Sequence, residues 1–227
     1  MPPLNVFEER LQTLKSKGFK AIVGLKPRRQ QDIIERMKIA ANAGVVAFTI
    51  DLDSAGRAAR ATKGQTVEPK TPEQLRELVK ASPLPLFFKG ILTTDEALLC
   101  LNAGAAGIVV SNHGGRVLAD EPGTAEVLPA IADAIHGRCM ILVDGCVKRG
   151  TDVEKYIALG ANACLAGRHF VRGAHGALAD GVELFANTIR NELAVAMTLT
   201  GAATVKDINR KMIRMTTPLP LAFGVPA

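Results

Sequence analysis

Residues 104–116 read GAAGIVVSNHGGR. An unbroken apolar run ends in Ser111 and Asn112, and a histidine, two glycines and an arginine follow at once. A short continuous apolar run of this kind fits a strand buried on both faces, as in a parallel sheet covered by helices. The polar cluster then lies where the strand ends. A histidine there is either satisfied by a backbone carbonyl or is a working base. Arg116, across two glycines that free the backbone for close approach, lets the pair face one ligand, with His113 as general base and Arg116 as a carboxylate clamp.

The same design recurs on both sides. Apolar runs at KAIVGL (20–25), VVAFTID (45–51), PLFFKG (85–90), CMILVDG (139–145) and ACLAG (163–167) alternate with amphipathic segments at 30–43, 72–80, 93–104, 124–137 and 150–161. These segments start on polar or proline residues and carry an apolar stripe, and all but 72–80 meet a glycine at or near their end, as helices do. The unit is βα, repeated about six times. A doubly wound open sheet and a (β/α)8 barrel both accept it. The glycine fingerprint of a dinucleotide fold is missing after the first strand, and polar residues close strand after strand: Asp51, Lys89, His113 with Arg116, Asp144 and Arg168. That favours the barrel, whose chemistry sits at the C-terminal strand ends.

Each strand end has its own chemistry. Lys89, closing FFKG, either snorkels to solvent or stabilises negative charge in the mouth. In VDGCVKRGTD and LAGRHF, Gly145, Lys148, Gly167 and Arg168 supply the amides and cations of a phosphate site after the last two strands. Asp51 is placed to orient an imidazole, whereas Asp53 reads as a turn or N-cap residue. His136 is expected at a helix end and His169 and His175 in the loop after the last strand, with no spacing among them for a metal.

Composition narrows the function classes. With 227 residues, 48% of them hydrophobic, the chain reads as one domain over 1–227, without a linker composition to divide it. Twenty-eight Lys and Arg against 22 Asp and Glu give +6, which suits phosphate or carboxylate ligands. The basic residues are dispersed, and aromatics are only 4% with no Trp, which argues against a nucleic-acid surface. Cys100, Cys139, Cys146 and Cys164 show no CxxC spacing. No apolar run approaches the roughly 18 residues of a membrane helix. The expectation is a soluble, cytoplasmic protein without a metal.

The segments FFKG, GAAGIVVSNHGGR, VDGCVKRGTDVEKYIALGANACLAGR and ELAVAMTLTGAATVKDI together resemble the FMN-dependent α-hydroxy acid oxidase/dehydrogenase family. The resemblance implies an α/β fold of the TIM (β/α)8-barrel type, with FMN at the mouth and a small 2-hydroxy acid as substrate. It makes His113 the base, Arg116 the carboxylate clamp, Lys89 a neighbour of the flavin and Asp51 the partner of the histidine. Thr49 and Ser111 become flavin contacts, Asp144 meets the ribityl chain, and Gly145, Cys146, Val147, Lys148, Gly167 and Arg168 hold the phosphate. Departures from the family pattern are Cys146 for a glycine, Lys148 for an arginine, no tyrosine in AIVGL, and Ala58 for a second substrate arginine that Arg57 or Arg60 could replace. About six of eight βα units are present, so either a longer polypeptide, a homo-oligomer or a partner carrying the N-terminal strands is expected to complete the barrel. A non-catalytic remnant that keeps a phosphate-bearing ligand is the alternative, and an FMN-dependent isomerase a third reading.

Overall fold

The computed structural model describes residues 4–56 and 67–215. After helix α1 (Leu4–Ser16), six strands alternate with helices: β1 (Ala21–Leu25), α2 (Gln30–Ala41), β2 (Val45–Asp51), α3 (Pro72–Ala81), β3 (Leu86–Ile91), α4 (Thr94–Asn102), β4 (Gly107–Val110), α5 (Thr124–Ile135), β5 (Met140–Val143), α6 (Gly150–Ala158), β6 (Ala163–Cys164) and α7 (Arg168–Thr200). Every strand pair is parallel, and the order across the sheet is β1-β2-β3-β4-β5-β6. The six βα units thus form a partial (β/α)8 barrel with β1 and β6 at its two edges.

Local sequence explains the helix boundaries. Thr71 and Thr93 each cap a helix by accepting a hydrogen bond from the backbone N–H three residues on, while Gln74 and Glu96 bond back to the cap. The helix α7 is interrupted at Ala177 and Leu178, and its two arms cross at Gly173 and Gly181. A Cβ on Gly173 would lie 2.5 Å from the Gly181 carbonyl oxygen, so only glycine permits the crossing. His169 and His175 therefore lie in a helix rather than in the expected loop, while His136 caps the end of α5 as anticipated.

Strand residues alternate between two faces. One set, including Phe48, Ile50, Leu86, Phe88, Ile108, Val110, Ile141 and Val143, packs on Ile33, Met37, Leu78, Leu128 and Ile131 of the helices. The other face carries a thinner cluster of Ala47, Phe87, Val109 and Leu142. One step further along each strand this inner face continues as Thr49 and Asp51, Lys89, Ser111 and Asp144. Burial of the helix-facing residues thus forces the polar strand ends to point inward together.

Gly107 sits where the inner layer is tightest: a Cβ there would lie 2.4 Å from the Met140 carbonyl oxygen and equally close to the Phe87 ring. Gly107→Ala should therefore destabilise the fold by about 1–3 kcal/mol through overpacking, measured as a lower urea midpoint.

Candidate functional site

A cleft of roughly 400 Å³ opens at the C-terminal ends of the strands. Asp51, Lys89, His113, Arg116, Asp144, Gly145, Cys146, Val147, Lys148, Gly167 and Arg168 line it, as does Gly114. The polar strand ends read from the sequence therefore do converge on one concavity. Thr49 and Ser111 do not line it. Thr49 faces Gly24 across the β1–β2 pair, and Ser111 is fully buried with its hydroxyl engaged.

Ser111 ties two elements of the site together. Its Oγ accepts a hydrogen bond from Lys89 Nζ at 2.5 Å and another from the His113 backbone N–H at 3.1 Å. Lys89 also lies 3.0 Å from Asp144 Oδ2, which balances its charge at the floor of the cleft. The other carboxylate oxygen of Asp144, Oδ1, is buried without a hydrogen-bond partner. An acceptor left unpaired in such a place favours a ligand that brings a donor.

The histidine follows a different arrangement from the one expected. His113 Nδ1 lies 3.0 Å from Asp53 Oδ2, and both side chains are nearly buried. Asp51 meets the Lys26 ammonium instead. The 3₁₀ turn Leu52–Gly56 is the reason: Ser54 Oγ donates to the Asp51 carbonyl at 2.8 Å, and the turn carries Asp53 over Gly90 toward β4. A Cβ on Gly90 would lie 2.5 Å from that of Asp53, so the approach depends on glycine at 90. With Nδ1 occupied by a carboxylate, Nε2 is the imidazole atom left for a ligand.

His113, Gly114 and Gly115 all have positive φ, and the loop is braced by Asn112 Oδ1 on the Gly114 N–H and by Arg116 Nε on the His113 carbonyl. Arg168 reaches across the mouth to within 3.3 Å of where a Gly114 Cβ would be. Sequence reasoning missed Lys26, Leu165, His169 and Arg172. Lys26 ends an apolar strand just as Lys89 does, and Arg172 stands one helical turn after Arg168 on α7, so the signals for both were present. Ala58, Arg57 and Arg60 lie outside the described residues. Among the described residues no group of three or more His, Cys, Asp or Glu side chains is arranged for a metal ion, and no helix is long and apolar enough to cross a membrane.

Residues 5–215 match the family profile described as FMN-dependent dehydrogenase. The chain belongs to the FMN-dependent dehydrogenase family. Among the family's curated proteins, a peroxisomal (S)-2-hydroxyacid oxidase of Arabidopsis thaliana is 44% identical over 142 residues, covering 63% of this chain and 38% of its own length. An L-lactate oxidase of Lactobacillus jensenii is 42% identical over 154 residues, 68% of this chain and 37% of its own. A crystal structure of mandelate oxidase superposes with a TM-score of 0.80 at 33% identity, over 88% of this chain and 65% of that one. The chain thus spans about two fifths of the length of these curated relatives.

The cysteines separate by environment. Burial pushes the Cys100 and Cys164 thiols up to about 12, and raises Cys139 as well, whereas Cys146 is exposed in the cleft. At pH 8 a thiol reagent should find a single fast-reacting group, abolished by Cys146→Ser, with Cys100 and Cys164 reacting only on denaturation.

Proposed function

We propose that this chain is the catalytic portion of an FMN-dependent oxidoreductase that oxidises a small 2-hydroxy acid to the 2-oxo acid. The observation that carries the reading is His113, backed by Asp53 at 3.0 Å, in the same cleft as Arg116 and as the cations Lys148 and Arg168. It joins a base, a carboxylate clamp and an anion-holding rim in one mouth.

The residues fit FMN. Gly145, Cys146, Val147, Lys148, Gly167 and Arg168 would hold the phosphate, Asp144 Oδ1 is an unpaired acceptor suited to a ribityl hydroxyl, and Lys89 puts positive charge at the floor. Bound FMN would supply the acceptor for the two electrons that the hydroxy acid loses. Arg116 would bind the substrate carboxylate and turn its hydroxyl toward His113. Asp53 fixes the tautomer with hydrogen on Nδ1, so Nε2 takes the hydroxyl proton, and the adjacent carboxylate stabilises the resulting imidazolium. Asp51, held by Lys26, is free of that task.

The two sheet edges, β1 and β6, favour completion of the barrel by further strands, in a longer polypeptide or through a homo-oligomer, with residues 1–227 as part of one barrel domain. We read the compartment as reducing, the cytoplasm by preference, because all four cysteines are free thiols. A non-catalytic remnant would keep the anion site and lose the base, and the intact His113–Asp53 pair speaks against it.

Reconstitution decides between them. The chain incubated with FMN should turn yellow and bleach under anaerobic conditions on addition of a 2-hydroxy acid. His113→Ala should lower kcat by about 10²–10⁴-fold with flavin uptake retained, and Asp53→Asn should lower it more than Asp51→Asn. A protein that stays colourless with FMN contradicts the reading.

A further inference from the structure

We propose that Thr124 and Tyr156 are positioning residues for the phosphate subsite, acting as a hydroxyl clamp that aims two successive backbone N–H groups of the β5 loop into the cleft. Thr124 opens α5 and Tyr156 lies in α6, so the two come from helices flanking β5 and meet behind the loop that follows it. Thr124 Oγ1 donates to the Asp144 carbonyl at 2.6 Å, and Tyr156 OH donates to the Gly145 carbonyl at 2.7 Å. The two hydroxyls lie 2.9 Å from each other. Their protons are shared among these three contacts.

The consequence follows from peptide geometry. Across a trans peptide the C=O and the N–H point in opposite directions. With the carbonyls of Asp144 and Gly145 both turned back onto the clamp, the N–H groups of Gly145 and Cys146 point the other way, toward the cleft that both residues line. Neither N–H has an acceptor among the described residues. Two adjacent, unspent donors of this kind form an anion-holding concavity, and Lys148 and Arg168 rim the same space.

Three further features fit the clamp. Gly145 has φ +113°, and a Cβ on it would lie 2.5 Å from Thr124 Oγ1 and 3.3 Å from Tyr156 OH, so the clamp fills the space a side chain would need. Cys146 is held at φ +53°, a conformation unusual for a residue with a side chain, which needs outside support to persist. Burial raises the Tyr156 phenol further above neutrality, which keeps it a donor. The downstream amides of Lys148 and Arg149 are already bonded to Asp152 Oδ2, which leaves the pair that the clamp aims, with Val147 beside it, as the loop N–H groups without an acceptor among the described residues.

The clamp presupposes the reading of the cleft as a flavin phosphate site, and the test separates the two. FMN and riboflavin affinities are measured by fluorescence quenching for the full chain and for Tyr156→Phe, Thr124→Val and Thr124→Ser. Thr124→Val keeps the side-chain shape and so guards against loss of fold in Tyr156→Phe. The expectation is that Tyr156→Phe and Thr124→Val each weaken FMN by about tenfold, leave riboflavin within about twofold, and that Thr124→Ser restores FMN binding. FMN affinity unchanged in both variants, or lost equally for riboflavin, overturns the clamp. If the unmodified chain takes up no flavin, the flavin reading fails. The clamp is then judged on the reaction rate of the Cys146 thiol, which Thr124→Val should change by at least about threefold; an unchanged rate overturns it.

Discussion

The constraint on which the site depends is the register of the parallel ladder. Asp51 is the partner of Lys89, Lys89 of Val109, and Val109 of Leu142, so the inward-facing rows of β2, β3, β4 and β5 are held in register. A slip of one residue in any strand would exchange its faces and carry its functional side chain into the helix layer. The fully buried Phe48, Ile50, Phe88 and Ile108 oppose such a slip, because each would have to leave the core for the inner face. Core packing and site geometry are in this sense one property of the fold.

Electrostatics then divides the cleft into balanced and unbalanced parts. The two strand-end carboxylates are neutralised within the chain, Asp51 by Lys26 and Asp144 by Lys89. Arg116, Lys148, Arg168 and Arg172 line the cleft with no ion pair among the described residues. These four cations gather where a phosphate and a carboxylate would both be drawn. His113 stands apart from this field, tied to Asp53 by a hydrogen bond that leaves one ring nitrogen facing the cleft.

The alternation of apolar strands and amphipathic helices made the six βα units readable, and the rule that barrel chemistry gathers at C-terminal strand ends located Lys89, His113, Arg116, Asp144 and Arg168. What escaped the sequence depended on short irregular geometry. Asp51 and Asp53 differ by two positions, and the choice between them was made by a 3₁₀ turn and by the bare backbone of Gly90. Nothing in the sequence marks Tyr156 for the site, because its partners Thr124 and Gly145 are 32 and 11 positions away and meet it only once α5 and α6 flank β5. Ser111, which the family resemblance makes a flavin contact, is a buried brace between Lys89 and His113 in this structure, a role that only the folded geometry reveals.

In the function proposed, the mouth of this partial barrel recognises a flavin through its phosphate. Its most direct measurement is a titration of the unaltered chain with FMN and with riboflavin over a range of salt concentrations. FMN is expected to bind at least about tenfold more tightly than riboflavin, with an advantage that shrinks as salt rises, as charge-assisted contacts from Lys148 and Arg168 require. Equal affinity for the two flavins, unaffected by salt, would contradict it.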